Sequence, residues 1–314
     1  MRLVMMGTGP FAVPTFRALL ASQHEVVALF TRPPRTGAGK HRTADNPMQA
    51  VAEERGLPVY GPESIKAPEA IAQLTALAPD LLVVCDYGQI LSSAALAAAR
   101  LGGINLHGSL LPKYRGAAPI NWALYHGDAE TGVTVIHMTP RLDAGPAIGQ
   151  VHTPIGPTET TPQVETRLAE LGAPAVLQAI AALEADTAQP IVQDETLATP
   201  APRLNKAMGE LDWSRSAGEL SCQVRAFQPW PASYTFWRRG AGEPLRLIVD
   251  RALPLTAAVT APPGTVVTAR GDRLEIATGR GLLVIEAIQP AGKRLLTIPE
   301  FLNGYALRPG DRLG

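Results

Sequence analysis

Asn105, His107 and Asp143 put an amide, an imidazole and a carboxylate into surroundings that are otherwise apolar or turn-forming. Asn105 and His107 are two residues apart in Ile104-Asn105-Leu106-His107. At the end of a strand they share a face, because side chains alternate with period two. An amide beside an imidazole can donate to a developing oxyanion, and His107 or Asp143 can take the proton of an amine nucleophile. That set suits acyl transfer to nitrogen with no covalent enzyme intermediate. Ser109 competes as a nucleophile but lacks the Gly-x-Ser-x-Gly strand–turn–helix setting.

Each residue also has a plainer reading. A histidine near an apolar strand packs in many cores, asparagine forms turns, and Asp143 before Ala144-Gly145 is a common turn pattern. His24 and His126 read as loop positions, and His137 and His152 fall on strands. No His-x-x-x-His or cysteine pair is available, so no metal is expected.

The elements that must position these residues follow from periodicity. Arg2–Met6, Glu25–Phe30 and Leu81–Cys85 are short β-type runs, with helical spacing over Phe11–Leu20, Met48–Arg55 and Glu69–Leu77. This pattern predicts a doubly wound, mostly parallel sheet of Rossmann-like α/β class. Gly7-Thr8-Gly9 hints at a dinucleotide turn, but the third glycine is replaced by Ala12, which argues against a nicotinamide cofactor. Asp86-Tyr87-Gly88-Gln89 follows a buried strand at its carboxyl end, where open α/β sheets bind ligands. Thr131–Met138 and Ala147–His152 read as strands flanking the Asp143 loop, and Thr161–Glu184 as a long amphipathic helix. Both catalytic loops are then expected to converge at the carboxyl edge of the sheet.

Residues 189–206 carry no periodicity and read as a linker between a catalytic domain over 1–188 and a C-terminal domain over 207–314. Beyond Pro229, short β segments at even spacing suggest a small barrel. The 28 basic and 28 acidic side chains cancel, which argues against a strongly basic nucleic-acid binder taken whole. Residues 1–202 are nevertheless net −5 and residues 203–314 net +5, as if the C-terminal part attracted a polyanion. A basic loop with Arg35, Lys40 and Arg42 could also approach a phosphate backbone. Cys85 and Cys222 form no disulfide framework, and no run resembles a signal peptide or a membrane span, so a cytoplasmic protein is expected. No apolar surface helix is evident, and a monomer is expected.

The string Asn105-Leu106-His107-Gly108-Ser109-Leu110-Leu111-Pro112, then Tyr114-Arg115-Gly116-Ala117-Ala118-Pro119-Ile120 and Leu142-Asp143-Ala144-Gly145, resembles the formyltransferases that use 10-formyltetrahydrofolate. Tyr87-Gly88-Gln89-Ile90-Leu91, Arg225-Ala226-Phe227, Pro229-Trp230-Pro231 and Pro309-Gly310-Asp311-Arg312-Leu313-Gly314 carry the likeness across nearly the whole chain. It is nearest to the members whose acceptor is the methionine on initiator tRNA. The resemblance implies Asn105, His107 and Asp143 as catalytic residues. It implies that Ser109, Leu110, Leu111 and Pro112 lie along the folate, and that Asp86, Tyr87, Gly88, Gln89 and Ile90 border its pteridine. It also implies a C-terminal barrel of OB type that binds tRNA, and contacts from Arg35, Lys40 and Arg42 to the acceptor end. The chain departs from the family in three places: Gly9-Pro10 replaces Pro-Asp, Asp86 replaces a small apolar residue, and Gly39 stands where the loop usually has arginine. Other readings are transfer to an amino sugar or small amine, a non-catalytic RNA- or folate-binding module, and hydrolysis of the formyl donor.

Overall fold

The computed structural model describes residues 1–33, 46–239 and 242–314. The chain forms two units, one of Met1–Pro119, Glu130–Pro154 and Glu165–Pro202, the other of Ile120–Ala129, Ile155–Val164 and Arg203–Gly314. This differs from a divide by a linker over 189–206. Residues up to Pro202 stay with the first unit because they are hydrogen-bonded into it, Ile191 pairing with Ala147 in both directions at 2.8 Å. Residues 120–129 and 155–164 join the second because their side chains are satisfied there. Asn121 Nδ2 and Thr161 Oγ1 both donate to the Ala226 carbonyl at 2.7 Å, and Tyr125 stacks on Phe227.

The first unit contains strands β1 (Arg2–Met6), β2 (Glu25–Phe30), β3 (Val59–Tyr60), β4 (Leu81–Val84), β5 (Gly103–His107), β6 (Arg115–Gly116), β7 (Glu130–His137), β8 (Ala147–Pro154) and β9 (Pro200–Ala201). The main sheet runs β3-β2-β1-β4-β5-β7-β8, and β6 pairs with β9 in a small parallel sheet. β3, β2, β1, β4 and β5 are parallel, whereas β7 is antiparallel to both β5 and β8. Leu3–Met6 and Leu81–Val84 are buried throughout, as unbroken apolar runs in a sheet covered on both faces should be. Strand order reverses between β1 and β4, so a ligand crevice is expected beyond their carboxyl ends.

Register decides which face carries the chemistry. Val84 pairs with Asn105 and Val83 with Ile104. Asn105 therefore continues the face of Leu82 and Val84, which packs against Ala70, Leu74, Ala95 and Leu96 from two short helices. Leu106 points the other way, toward helix Thr161–Glu184. There the helix comes so close that a Cβ on Gly172 would stand 2.4 Å from the Leu106 side chain.

The second unit contains β10 (Ser233–Trp237), β11 (Leu245–Leu255), β12 (Val266–Arg270), β13 (Arg273–Ala277), β14 (Leu282–Pro290) and β15 (Leu296–Thr297). Its antiparallel sheet is ordered β10-β11-β14-β13-β12, with β15 beside β14. The edges are joined by the chain's last residues. Leu313 bridges Trp237 of β10, and Arg312 bridges Thr265 just before β12. A sheet joined edge to edge in this way is a small barrel, and it leaves few strand edges bare. Ser216 starts the helix Ala217–Ala226 with a capping box, its hydroxyl accepting from Glu219 N while Glu219 reaches back.

Leu313 is 4% exposed in the core of this unit. Leu313→Ala is expected to cost about 2–5 kcal/mol, the range for a buried leucine truncated to alanine, and to lower the urea midpoint of that unit's unfolding.

Candidate active site

β5 places Asn105 and His107 on one face at its carboxyl end. His107 is 6% exposed, and its Nε2 lies 2.9 Å from the Tyr114 carbonyl. A carbonyl only accepts, so Nε2 carries a proton and donates it. Nδ1 is then the ring atom left for chemistry, 3.6 Å from Asp143 Oδ2. The same Oδ2 accepts the Gly116 N–H at 2.9 Å, and Asn105 Nδ2 lies 3.4 Å from Asp143 Oδ1. The three side chains singled out from sequence thus meet around one carboxylate.

Asp143 does not arrive from a shared carboxyl edge, as was expected. β7 is antiparallel, so its last residue His137 pairs with Ile104 near the start of β5. The connection from β7 to β8 folds back over the sheet face to bring Asp143 onto Asn105. The fold-back is tight: Asp143 has φ +48°, which aspartate tolerates better than most residues, and a Cβ on Gly145 would lie 1.7 Å from the His137 carbonyl oxygen.

The loop after β5 is held from within. Ser109 is fully buried and its hydroxyl donates to the Lys113 carbonyl at 2.7 Å. Thr134 Oγ1 donates to the Ser109 carbonyl and accepts from Leu111 N, and Gln150 Nε2 donates to the Leu111 carbonyl. A serine so committed is not a nucleophile. Leu110 and Pro112 are half-buried, while Leu111 turns into the core, and the Leu111–Pro112 peptide is cis.

Asp86 to Ile90 lies at the strand-order reversal, across from the turn after β1. Thr8 N donates to the Asp86 carbonyl at 3.1 Å. The Asp86 carboxylate occupies the space a side chain at residue 9 would need, a Cβ on Gly9 falling 1.8 Å from Oδ2. The two departures at Gly9 and Asp86 are therefore one structural fact. Asp86 keeps solvent on one side, but protein packed on the others pushes its carboxyl up, against the pull of the Arg32 guanidinium. Glu165 is pushed up too, by burial first and then by the charge of Asp86. Arg32 Nη2 donates to the Gly88 carbonyl at 2.6 Å. Tyr87 is buried, its hydroxyl has no hydrogen-bond partner among the described residues, and burial pushes its pKa up to about 12. Gln89 turns inward, accepting from Ile65 N and donating to the Pro62 carbonyl, and Ile90 is exposed.

Arg35, Lys40 and Arg42 lie outside the described residues. Among the described residues no group of three or more His, Cys, Asp or Glu side chains is arranged to hold a metal, and no helix is long and apolar enough to cross a membrane. The aperiodic stretch after the long helix contributes contacts that the sequence did not suggest. Thr199 Oγ1 accepts the Tyr114 N–H at 2.9 Å, and Arg115 N donates to the Thr199 carbonyl at 2.8 Å. The visible signal was the polar run Gln193-Asp194-Glu195-Thr196 inside a Pro- and Ala-rich segment.

The family model described as formyl transferase matches residues 1–180, and that of the formyl transferase C-terminal domain matches residues 203–306. The methionyl-tRNA formyltransferase of Rhodopirellula baltica is 46% identical over all of this chain and 96% of its own length. That of Methylococcus capsulatus is 45% identical over the full length of both. Among solved structures, the sugar 3N-formyl transferase WlaRD matches 94% of this chain and 99% of its own with a TM-score of 0.67, at 15% identity. That likeness speaks for the fold alone.

Asp86 also gives a pH dependence. Its folded pKa is raised above the unfolded value, so its contribution to stability is whole below the unfolded pKa and is lost as pH rises through the folded one. Asp86→Asn, which also accepts φ +47°, should therefore raise Tm at pH 7 and lose that advantage near pH 3.5. Thermal unfolding of both proteins at the two pH values checks this.

Proposed function

Because the chain belongs to the formyl transferase family, we propose that it moves a formyl group from N10 of 10-formyltetrahydrofolate to the α-amino group of the methionine on initiator tRNA. The observation that carries the chemistry is the meeting of Asn105, His107 and Asp143 within 3.4–3.6 Å. The full-length likeness to methionyl-tRNA formyltransferases carries the choice of substrates.

The amine attacks as the free base. As its nitrogen bonds to the formyl carbon, the C=O electrons move to oxygen, and Asn105 Nδ2–H donates to that oxyanion, joined by Nδ1–H of the His107 ring in its doubly protonated, cationic form. The ammonium proton passes to the carboxylate of Asp143 or through it to solvent. Collapse re-forms the C=O and breaks the bond to N10, which takes up the proton held by Asp143, or one from solvent, as it leaves. His107 Nε2 stays committed to the Tyr114 carbonyl, so the ring cannot turn away during the cycle.

Asp86 to Ile90 and Ser109 to Pro112 form the donor's walls in this reading. They flank the strand-order reversal and β5, where open α/β sheets take ligands. A carboxylate at residue 86 suits the amino and ring N–H donors of a pterin. The barrel of the second unit, within residues whose net charge is +5, attracts the tRNA backbone. Arg35, Lys40 and Arg42 add charge toward the acceptor end, and the protein works as a cytoplasmic monomer.

Asn105→Ala, His107→Ala and Asp143→Ala are each expected to slow formylation of methionyl-tRNA by about a hundred- to thousandfold while remaining folded at the assay temperature. His107→Ala and Asp143→Ala also lower the thermal transition, because one strands the buried Tyr114 carbonyl and the other loses the Gly116 bond at a left-handed position. Near-normal turnover in Asn105→Ala would contradict the mechanism. An assay with and without tRNA also separates transfer from hydrolysis of the donor, which would release tetrahydrofolate without formylated product.

A further inference from the structure

We infer that Gln193 is the positioning residue for the catalytic carboxylate, a single amide that locks the loop of Asp143 to the loop that holds His107. The inference rests on the function proposed above.

Gln193 is 8% exposed. A primary amide has two N–H donors and an oxygen with two lone pairs. Here all four are used. Nε2 donates to the Asp143 carbonyl at 2.8 Å and the Gly145 carbonyl at 2.7 Å. Oε1 accepts from Arg115 Nε at 3.1 Å and Nη2 at 2.8 Å. Two carbonyls on one side and a guanidinium on the other leave no ambiguity about which end is nitrogen.

What the amide joins matters more than its own satisfaction. On one side it fixes the backbone of Asp143, in a left-handed conformation that the loop must hold for the carboxylate to reach Asn105 and His107. On the other it grips Arg115. The neighbours of Arg115 are Tyr114, whose carbonyl takes the His107 Nε2 proton, and Gly116, whose N–H binds Asp143 Oδ2. One amide thus sits behind both hydrogen bonds that aim the imidazole and the carboxylate at each other. Glu195 backs the arrangement by pairing with Arg115 and Arg141, each at 3.0 Å. Glu195 is itself 51% exposed, so both pairs are screened by solvent and add little beside the buried amide. No atom of Gln193 needs to touch substrate for this role.

Gln193→Glu separates positioning from packing. It keeps the shape and both acceptors for Arg115, but removes both donors and sets a carboxylate against two carbonyl oxygens. Gln193→Ala removes all four bonds without adding charge. For both variants, formylation of methionyl-tRNA is measured alongside binding of 5-formyltetrahydrofolate and thermal unfolding. Expected is a kcat lowered about 10- to 100-fold, the scale for misplacing a catalytic group by about 1 Å, with KM for both substrates and the affinity for 5-formyltetrahydrofolate within about threefold of the wild type. A kcat within about twofold of the wild type in either variant overturns the inference. So does a loss of kcat matched by an equal loss of folate binding or of folded protein, which would make Gln193 a residue of the fold only. Failure of the wild-type chain to formylate methionyl-tRNA overturns the proposed function, and this inference with it.

Discussion

The site depends on one buried hydrogen bond, from His107 Nε2–H to the Tyr114 carbonyl. It consumes one ring nitrogen and so leaves the other, Nδ1, to face Asp143. Without it the imidazole has two equivalent ways to present itself, and Asp143 has no defined atom to face. The carbonyl is a dependable acceptor because the loop around it is tied down. Tyr114 has φ +65°, its own N–H goes to Thr199, and the next two residues pair as a short strand with Pro200–Ala201. A Cβ on Gly116 would lie 2.5 Å from the Ala201 carbonyl oxygen, so that pairing depends on glycine.

From that bond the rest of the unit can be ordered by consequence. Period-two alternation along β5 sends Leu106 to the helix side and Asn105 and His107 to the other. The close approach at Gly172 seats the strand. The antiparallel turn of the sheet at β7 lets a tight connection fold back and bring Asp143 in from the opposite direction. At the neighbouring strand-order reversal, the missing side chain of Gly9 makes room for the carboxylate of Asp86. The cluster of Asn105, His107 and Asp143 and the loop from Asp86 to Ile90 thus lie beside the neighbouring strands β5 and β4 without sharing residues.

Much of this was legible in the sequence, for identifiable reasons. Unbroken short apolar runs at Leu3–Met6 and Leu81–Val84, bounded by turn residues, read as strands covered on both faces, and both are buried throughout. Asn105 and His107 share a face because period two allows nothing else. Even spacing of short strands beyond Pro229 marked the barrel, although not that Arg312 and Leu313 would close it. Strand direction is not legible: Thr131–Met138 alternates equally well in a parallel or an antiparallel pair, so the pattern does not reveal that β7 runs antiparallel and that Asp143 reaches Asn105 from the opposite direction. Residues 187–202 were opaque in another way. Hydrogen bonding to neighbouring loops has no sequence period, so a segment in which Gln193, Glu195 and Thr199 bond to the loops of Tyr114–Arg115 and Asp143 reads like a linker. The unit boundaries within 120–129 and 155–164 depend on side-chain partners distant in sequence, such as Asn121 with Ala226, which no local pattern announces.

The most direct test of the account is the protonation of the His107 ring itself. With the histidines labelled with ¹⁵N, and His107 among the six assigned by comparison with His107→Gln, the nitrogen shifts report which ring atom carries hydrogen. Hydrogen on Nε2, with Nδ1 as the ring atom facing Asp143, is the predicted result. A neutral ring protonated at Nδ1 with a bare Nε2 would contradict it, because the Tyr114 carbonyl would then face a lone pair and the imidazole would be aimed by nothing.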